Sequence, residues 1–227
     1  GGLVAAGAKV IDCGLASTPA MFMGTVYEET AFDGSIMITA SHLPYNRNGM
    51  KFFTADGGLE KAEITQVLAL AARQPFSGTP TTKIARQNLL GLYSEHLQTI
   101  IRQAVANGEK PLAGLHIVVD ASNGAGGFFA GQVLAPLGAD VTGSQFLEPD
   151  GNFPNHIPNP EDPAAMAALR EAVLQHQADL GIVFDPDVDR MSAVLSDGEE
   201  INRDALIAMM AAIAVQECLG AKLVTDS

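Results

Sequence analysis

The run Asp185-Pro186-Asp187-Val188-Asp189-Arg190 carries the strongest chemical signal in this 227-residue sequence. It follows an apolar run over 180–184, so it is expected at the carboxyl end of a sheet strand, where α/β proteins gather their ligand sites. Three carboxylates at alternate positions can converge in a tight loop, with Arg190 the only base beside them. Clustered like charges raise one another's pKa until a cation binds them, and a hard divalent ion prefers oxygen ligands. A helix–loop–helix calcium site is excluded. Counting from Asp185, its required Gly and Glu positions hold Arg190 and Ser196. The plainer alternative is a solvated acidic turn.

A second constellation, Thr39-Ala40-Ser41-His42-Leu43-Pro44, follows an expected strand. Its serine sits on a sharp loop with an accessible hydroxyl. It is not the nucleophile elbow of the hydrolases, which needs Gly two residues to either side; Thr39 and Leu43 stand there. Neighbouring side chains of an extended chain also point apart, which disfavours a Ser–His catalytic bond. Alone, this segment reads as a turn with a capping serine, and Asn48-Gly49-Met50-Lys51 as a turn leading into a strand. His96, His116, His156 and His176 are scattered without metal-ligand spacing and read as structural. The glycine turn Asn123-Gly124-Ala125-Gly126-Gly127 lacks both the dinucleotide and the Walker spacing.

The elements that must position these groups alternate short apolar runs with amphipathic ones, the pattern of an α/β protein. Strands are expected over 9–13, 35–40, 50–54, 115–120, 140–146, 179–184 and 191–195. Helices are expected over 59–73, 85–106, 128–137, 163–177 and 204–219, with a further helix start at Ser17-Thr18-Pro19. A turn-rich stretch, 75–82, interrupts the first half. Charge, Pro and Gly together over 108–114 mark a boundary. The fold class is therefore α/β: two consecutive domains, 1–109 and 110–220, with mainly parallel mixed sheets flanked by helices. The residues 221–227 read as the start of a third, and the opening residues as the tail of a helix already under way.

Composition narrows the function classes. Hydrophobic residues are 47% of the chain, enough for ordinary cores, and aromatic ones only 6%, so Ala, Val, Leu, Ile and Met must fill them. Lys plus Arg is 13 against 26 Asp plus Glu, a net charge of −13, with no basic cluster. That balance argues against nucleic acid and against anionic membrane surfaces as partners. Cys13 and Cys218 lie far apart and read as small buried residues of a cytoplasmic protein. No targeting segment or membrane span is visible.

Taken together, Thr39 to Pro44, Asn48 to Lys51 and Asp185 to Arg190 resemble, in order and spacing, the α-D-phosphohexomutases. That family includes phosphoglucomutase, phosphomannomutase and phosphoglucosamine mutase. Ser17-Thr18-Pro19, the strand and turn over 118–127, Pro149-Asp150-Gly151-Asn152-Phe153-Pro154, Pro158-Asn159-Pro160-Glu161 and Val224-Thr225-Asp226-Ser227 match as well. The resemblance covers nearly the whole chain.

It implies an isomerase that moves phosphate between the 1- and 6-positions of a hexose phosphate through a phosphoserine and a hexose bisphosphate. Ser41 would carry the phosphate. Asp185, Asp187 and Asp189 would hold Mg2+ with the Ser41 phosphate, and Arg190 would lie beside that phosphate. His42 and Lys51 would serve proton transfer or charge stabilisation. Family members have four domains, with sugar recognition in the third and the distal phosphate held by the fourth, so this stretch alone is expected to turn over poorly. Two departures stand out: Leu43 where the family has Asn, and Pro186 where it has Gly. Two other classes compete, a magnesium-dependent phosphatase-like hydrolase with an aspartate nucleophile and a non-catalytic binding homologue.

Overall fold

The computed structural model describes residues 2–73, 84–218, 220 and 222. The turn-rich stretch 75–82 lies outside them, as does most of 221–227. A short helix α1 (Gly2–Ala5) leads into strand β1 (Ile11–Asp12) and helix α2 (Thr18–Met23). Ser17 caps α2 by accepting from the Ala20 amide, and Pro19 fits the first turn, where its missing N–H costs nothing.

Strands β2 (Ser35–Ile38), β3 (Met50–Thr54) and β4 (Gly57–Gly58) form an antiparallel sheet, and helix α3 (Lys61–Arg73) follows. Strand β5 (Ala85–Arg86) pairs in parallel with β1, and this pairing takes up the residues expected to open the next helix. Helix α4 (Leu89–Val105) therefore starts later, at an Asn88 cap whose Oδ1 accepts from the Gly91 amide at 3.0 Å.

The second half is built on β6 (Ile117–Asp120), buried at all four positions, as a strand covered on both faces must be. Helix α5 (Pro163–His176) precedes β7 (Leu180–Phe184) and β8 (Met191–Leu195); β7 runs parallel to β6 and antiparallel to β8. Asp162 caps α5, with Pro163 in the first turn. Met166, Leu169, Ala172 and Val173 of α5 pack on one face of the sheet, against Val118, Val183 and Val194. On the other face, Ala130 and Leu134 pack against Ile117, Val119 and Phe184. The result is three layers, helix–sheet–helix. Parallel and antiparallel pairing thus both occur, with β1–β5 parallel, β2–β3–β4 antiparallel and β6–β7–β8 mixed, and helices lie against the sheets.

Two expected elements are less regular than their sequence suggests. The strand over 140–146 survives as two bridges, His116 with Asp140 and Asp120 with Gln145. Between them the Asp140 carboxylate accepts from the Thr142 amide at 2.9 Å and Gly143 turns at φ +86°, which breaks the extended run. The helix over 128–137 forms as a wide turn, Phe129–Leu134, between tight turns at Ala125–Gly127 and Ala135–Leu137. Pro136 supplies no amide to a regular ladder there.

Leu90 joins Ala20 and Phe128, Val133 and Leu137 in one apolar cluster, with Tyr93, Leu97 and Ile101 against it. Helix α4 thereby ties the two halves. Helix α6 (Arg203–Glu217) follows an Asn202 cap. Cys13 is half-buried and Cys218 exposed, both free, so neither is the fully buried residue expected.

Candidate active site

The loop between β2 and β3 presents Ser41. Thr39 Oγ1 accepts from the Ser41 amide at 2.9 Å, and the Thr39 amide donates to the Gly49 carbonyl at 3.1 Å, closing the loop at its base. Ser41 itself has φ +52°, a left-handed conformation uncommon for a residue with a side chain and often retained at functional positions. The acid loop after β7 is held just as tightly. The Val188 amide donates to the Asp185 carbonyl, and the Asp185 amide to the Arg190 carbonyl. Val188, a β-branched residue, sits at φ +61°.

Neighbouring segments brace that loop from both sides. The Ala125 amide donates to the Pro186 carbonyl and the Thr18 amide to the Asp187 carbonyl, each at 2.8 Å. Gly124 lies so close that a Cβ there would fall 2.7 Å from the Pro186 carbonyl oxygen. That close approach is what the glycine turn is for.

Residues 144 positions apart meet here. Ser41 Oγ lies 3.2 Å from Asp185 Oδ2, and Arg190 Nη2 donates to Ser41 Oγ at 3.0 Å and to Asp185 Oδ2 at 3.0 Å. The same Nη2 is 2.7 Å from His42 Nδ1. A guanidinium only donates, so Nδ1 accepts and the His42 ring proton sits on Nε2. Ser41 Oγ is 3.4 Å from that nitrogen, a long and shared contact. Lys51, on β3, reaches across to Asp187 Oδ2 at 2.7 Å and Asp189 Oδ2 at 2.6 Å. All seven residues singled out by the sequence stand in one constellation.

Asp185 and Asp187 are buried at 0% and 1% exposure, so their ionisation must be supported by neighbours. Burial, then the charges of Asp187 and Asp189, push Asp185 up to about 6 against the Arg190 contacts. Burial also works against an ionised Asp187, but hydrogen bonds from Lys51 and Thr18, with the Lys51 charge, hold it below the usual carboxylate range. Burial works against the Lys51 ammonium, and its bonds to Asp187 and Asp189 outweigh that, so its pKa is raised.

Each of the three aspartates offers an oxygen within 4.8 Å of the others. Asp187 Oδ1 is buried and finds no hydrogen-bond donor among the described residues. Such an orphan costs about 1–3 kcal/mol or more, which a bound cation removes. An all-oxygen donor set with one bare buried oxygen fits a hard divalent ion such as Mg2+.

Sequence reasoning missed one contributor to the site. Thr18, read there as a helix start and a motif match, donates its hydroxyl to Asp187 Oδ2 at 2.6 Å. His156, read as structural, is buried against Asp120 at the end of β6, with Nε2 3.1 Å from Oδ2, and touches none of the seven site residues among its hydrogen bonds. Neither contact is signalled by local spacing, since the partners are 169 and 36 residues apart.

Comparison with known proteins decides the kinship. Residues 1–76 match the phosphoglucomutase/phosphomannomutase alpha/beta/alpha domain I, and residues 92–198 match domain II. The chain belongs to the phosphoglucomutase/phosphomannomutase family. A phosphoglucomutase of Neisseria gonorrhoeae is 32% identical over 226 residues, covering 99% of this chain and 47% of the relative. A phosphomannomutase of Escherichia coli K12 is 34% identical over 239 residues, covering 99% and 50%. A solved phosphoglucomutase/phosphomannomutase family protein from Burkholderia thailandensis superposes with a TM-score of 0.79 at 28% identity, over 97% of this chain and 47% of that one. The chain spans about half the length of the curated relatives it matches. Within this family member, the domain II match begins inside α4, the helix that packs on both halves.

Proposed function

We propose that this chain supplies the phosphate-carrying serine and the metal site of a phosphohexomutase acting on a hexose phosphate. The unit 1–109 carries Ser41 and the unit 110–220 carries the acid loop. One observation carries the reading: Ser41 Oγ, Asp185 Oδ2 and Arg190 Nη2 lie within 3.2 Å of one another although they come from two distant loops.

In this reading a phosphate on Ser41 bears nearly two negative charges. A hydroxyl of the hexose phosphate attacks it. The bond from phosphorus to Ser41 Oγ breaks and Oγ takes up a proton to become the serine hydroxyl, while a bond from phosphorus to the sugar oxygen forms and the sugar hydroxyl proton passes to a nearby base. The product is a hexose bisphosphate, which turns over in the site and returns its other phosphate to Ser41. Asp185, Asp187 and Asp189 would hold Mg2+. When bound, the ion draws charge from the phosphoryl oxygens.

The chain's own side chains do the rest. Arg190 Nη2 is placed to donate to a group on Ser41, and its neighbour Asp185 keeps the guanidinium oriented. Lys51 carries a proton that Asp187 and Asp189 hold on it, so it serves as a donor and a positive charge beside the reacting oxygens. His42, with its ring proton on Nε2, is the second group on hand for proton transfer. The turn that holds Ser41 at φ +52° keeps its hydroxyl on the acid side of the loop.

The test is intact-mass measurement on the protein at its natural length, incubated with Mg2+ and glucose 1,6-bisphosphate. One stable phosphate on Ser41, absent in Ser41→Ala, is the expected result. Label on Asp185 or a neighbouring aspartate would establish the hydrolase instead. No label at all would make the protein a binding homologue.

A further inference from the structure

We propose that Thr18 is a positioning residue for the ion: its hydroxyl orients the Asp187 carboxylate so that Oδ1 is kept for the cation. This inference rests on the metal site proposed above and extends it to a residue outside the acid loop.

Thr18 grips Asp187 at two points. Its amide donates to the Asp187 carbonyl at 2.8 Å, and its Oγ1 donates to Asp187 Oδ2 at 2.6 Å, in a contact buried from solvent. The amide is available because the first N–H groups of a helix have no partner within it, and Thr18 opens α2. The hydroxyl's direction is restricted because a β-branched side chain has few χ1 choices. Ser17 before it and Pro19 after it fix the backbone. A residue of the first half therefore holds a carboxylate of the second half across 169 positions.

The two oxygens of Asp187 are treated unequally. Oδ2 accepts from Thr18 and from Lys51, whereas Oδ1 is buried with no donor among the described residues. Without the Thr18 hydroxyl, Lys51 is the one remaining hydrogen-bond donor to Oδ2 among the described residues, and rotation about the carboxylate bond is less restricted. Partners that orient a ligating group commonly set metal affinity by about 10–100-fold.

Two substitutions separate the hydroxyl from the rest of Thr18. Thr18→Val keeps the volume, the branching and the backbone amide bond but removes the donor. Thr18→Ser keeps the donor and removes a methyl group. The experiment titrates the chain with Mn2+ alone, reading free and bound ion by electron paramagnetic resonance, with circular dichroism to verify folding. Asp187→Asn serves as the control for the site itself.

Wild type is expected to bind Mn2+, Thr18→Val to bind about tenfold or more weakly with a broadened bound-ion spectrum, and Thr18→Ser to recover wild-type binding. Equal binding by wild type and Thr18→Val overturns the Thr18 role while leaving the metal site intact. Equal weakening in Thr18→Val and Thr18→Ser overturns it as well, by assigning the effect to packing. Failure of wild type to bind, or binding unchanged in Asp187→Asn, removes the metal site and this inference with it. Should Thr18→Val not fold, Thr18→Ala against Thr18→Ser makes the same comparison.

Discussion

A buried imidazole beside a buried carboxylate makes the pH behaviour of one residue pair readable. His156 and Asp120 have side chains 3% and 0% exposed, and Asp120 also accepts from the Ser122 amide and from Gln145 Nε2. Burial works to lower the His156 pKa. The Asp120 hydrogen bond, the bond to the Ile157 carbonyl and the charges of Asp120 and Asp162 outweigh it and raise the pKa above the ordinary value. A histidine whose folded pKa is raised binds its proton more tightly in the native state than when unfolded. Its contribution to stability is therefore full below the unfolded pKa, about 6.5, and is lost as pH rises through the folded value. Urea unfolding from pH 5.5 to 8.5 measures this. The stability gap between wild type and His156→Gln should be widest at the acid end and narrow toward alkaline pH. A gap that widens as pH rises would mean the ring is held neutral and the pair is an ordinary hydrogen bond.

Among the elements, the loop after β7 depends on the turn after β6, and the glycine that makes this possible can be tested directly. A Cβ at Gly124 would meet Pro186, whose carbonyl also accepts the Ala125 amide, so Gly124→Ala must move the acid loop or the turn. The expected outcome is weaker Mn2+ binding, by about tenfold, with the helix–sheet–helix core still folded. Unchanged binding would show that the turn yields and the loop does not need it. Much of this region was legible beforehand because Asp185, Asp187 and Asp189 follow a buried strand, and strand ends collect ligand sites. Ser41 and Lys51 were legible only as parts of a joint pattern, since each by itself reads as turn chemistry. The fold was legible where the local signals are plain, as in α5, opened by an Asp162 cap and Pro163, and in β6, a continuous apolar run. It was not where a local side chain competes with the backbone: Asp140 and Gly143 dissolve an expected strand, and Ala85 pairs with Ile11 where the helix of α4 was expected to begin. Gly124 was seen as a glycine and not as a contact, because its partner Pro186 is far away in sequence.

For the whole molecule, apolar surface and charge pull in opposite directions. Helix α6 is apolar on nearly every side, and Ile207, Met209, Met210 and Ile213 are 48%, 52%, 56% and 43% exposed. Helix α3 has no buried residue, with Leu68 and Leu70 at 64% and 62% exposed. A helix without a polar face gains from being covered, and contiguous exposed apolar surface drives association. Against this stands a net charge of −13, which keeps copies apart at low ionic strength. Salt removes that opposition, since the screening length falls to about 10 Å at 0.1 M and about 3 Å at 1 M. The 227-residue chain is therefore expected to self-associate more strongly as salt increases, the reverse of an assembly held by ion pairs. Sedimentation velocity between 0.05 and 1 M NaCl reads this out (conditions spanning roughly the screening range above). Lys in place of Ile207 and Met210 should return the chain to a monomer at every salt concentration without altering Mn2+ binding, because neither residue is among the side chains of the acid constellation. A wild-type chain that stays monomeric at high salt would show that this helix face is too divided by its alanines to hold two copies together.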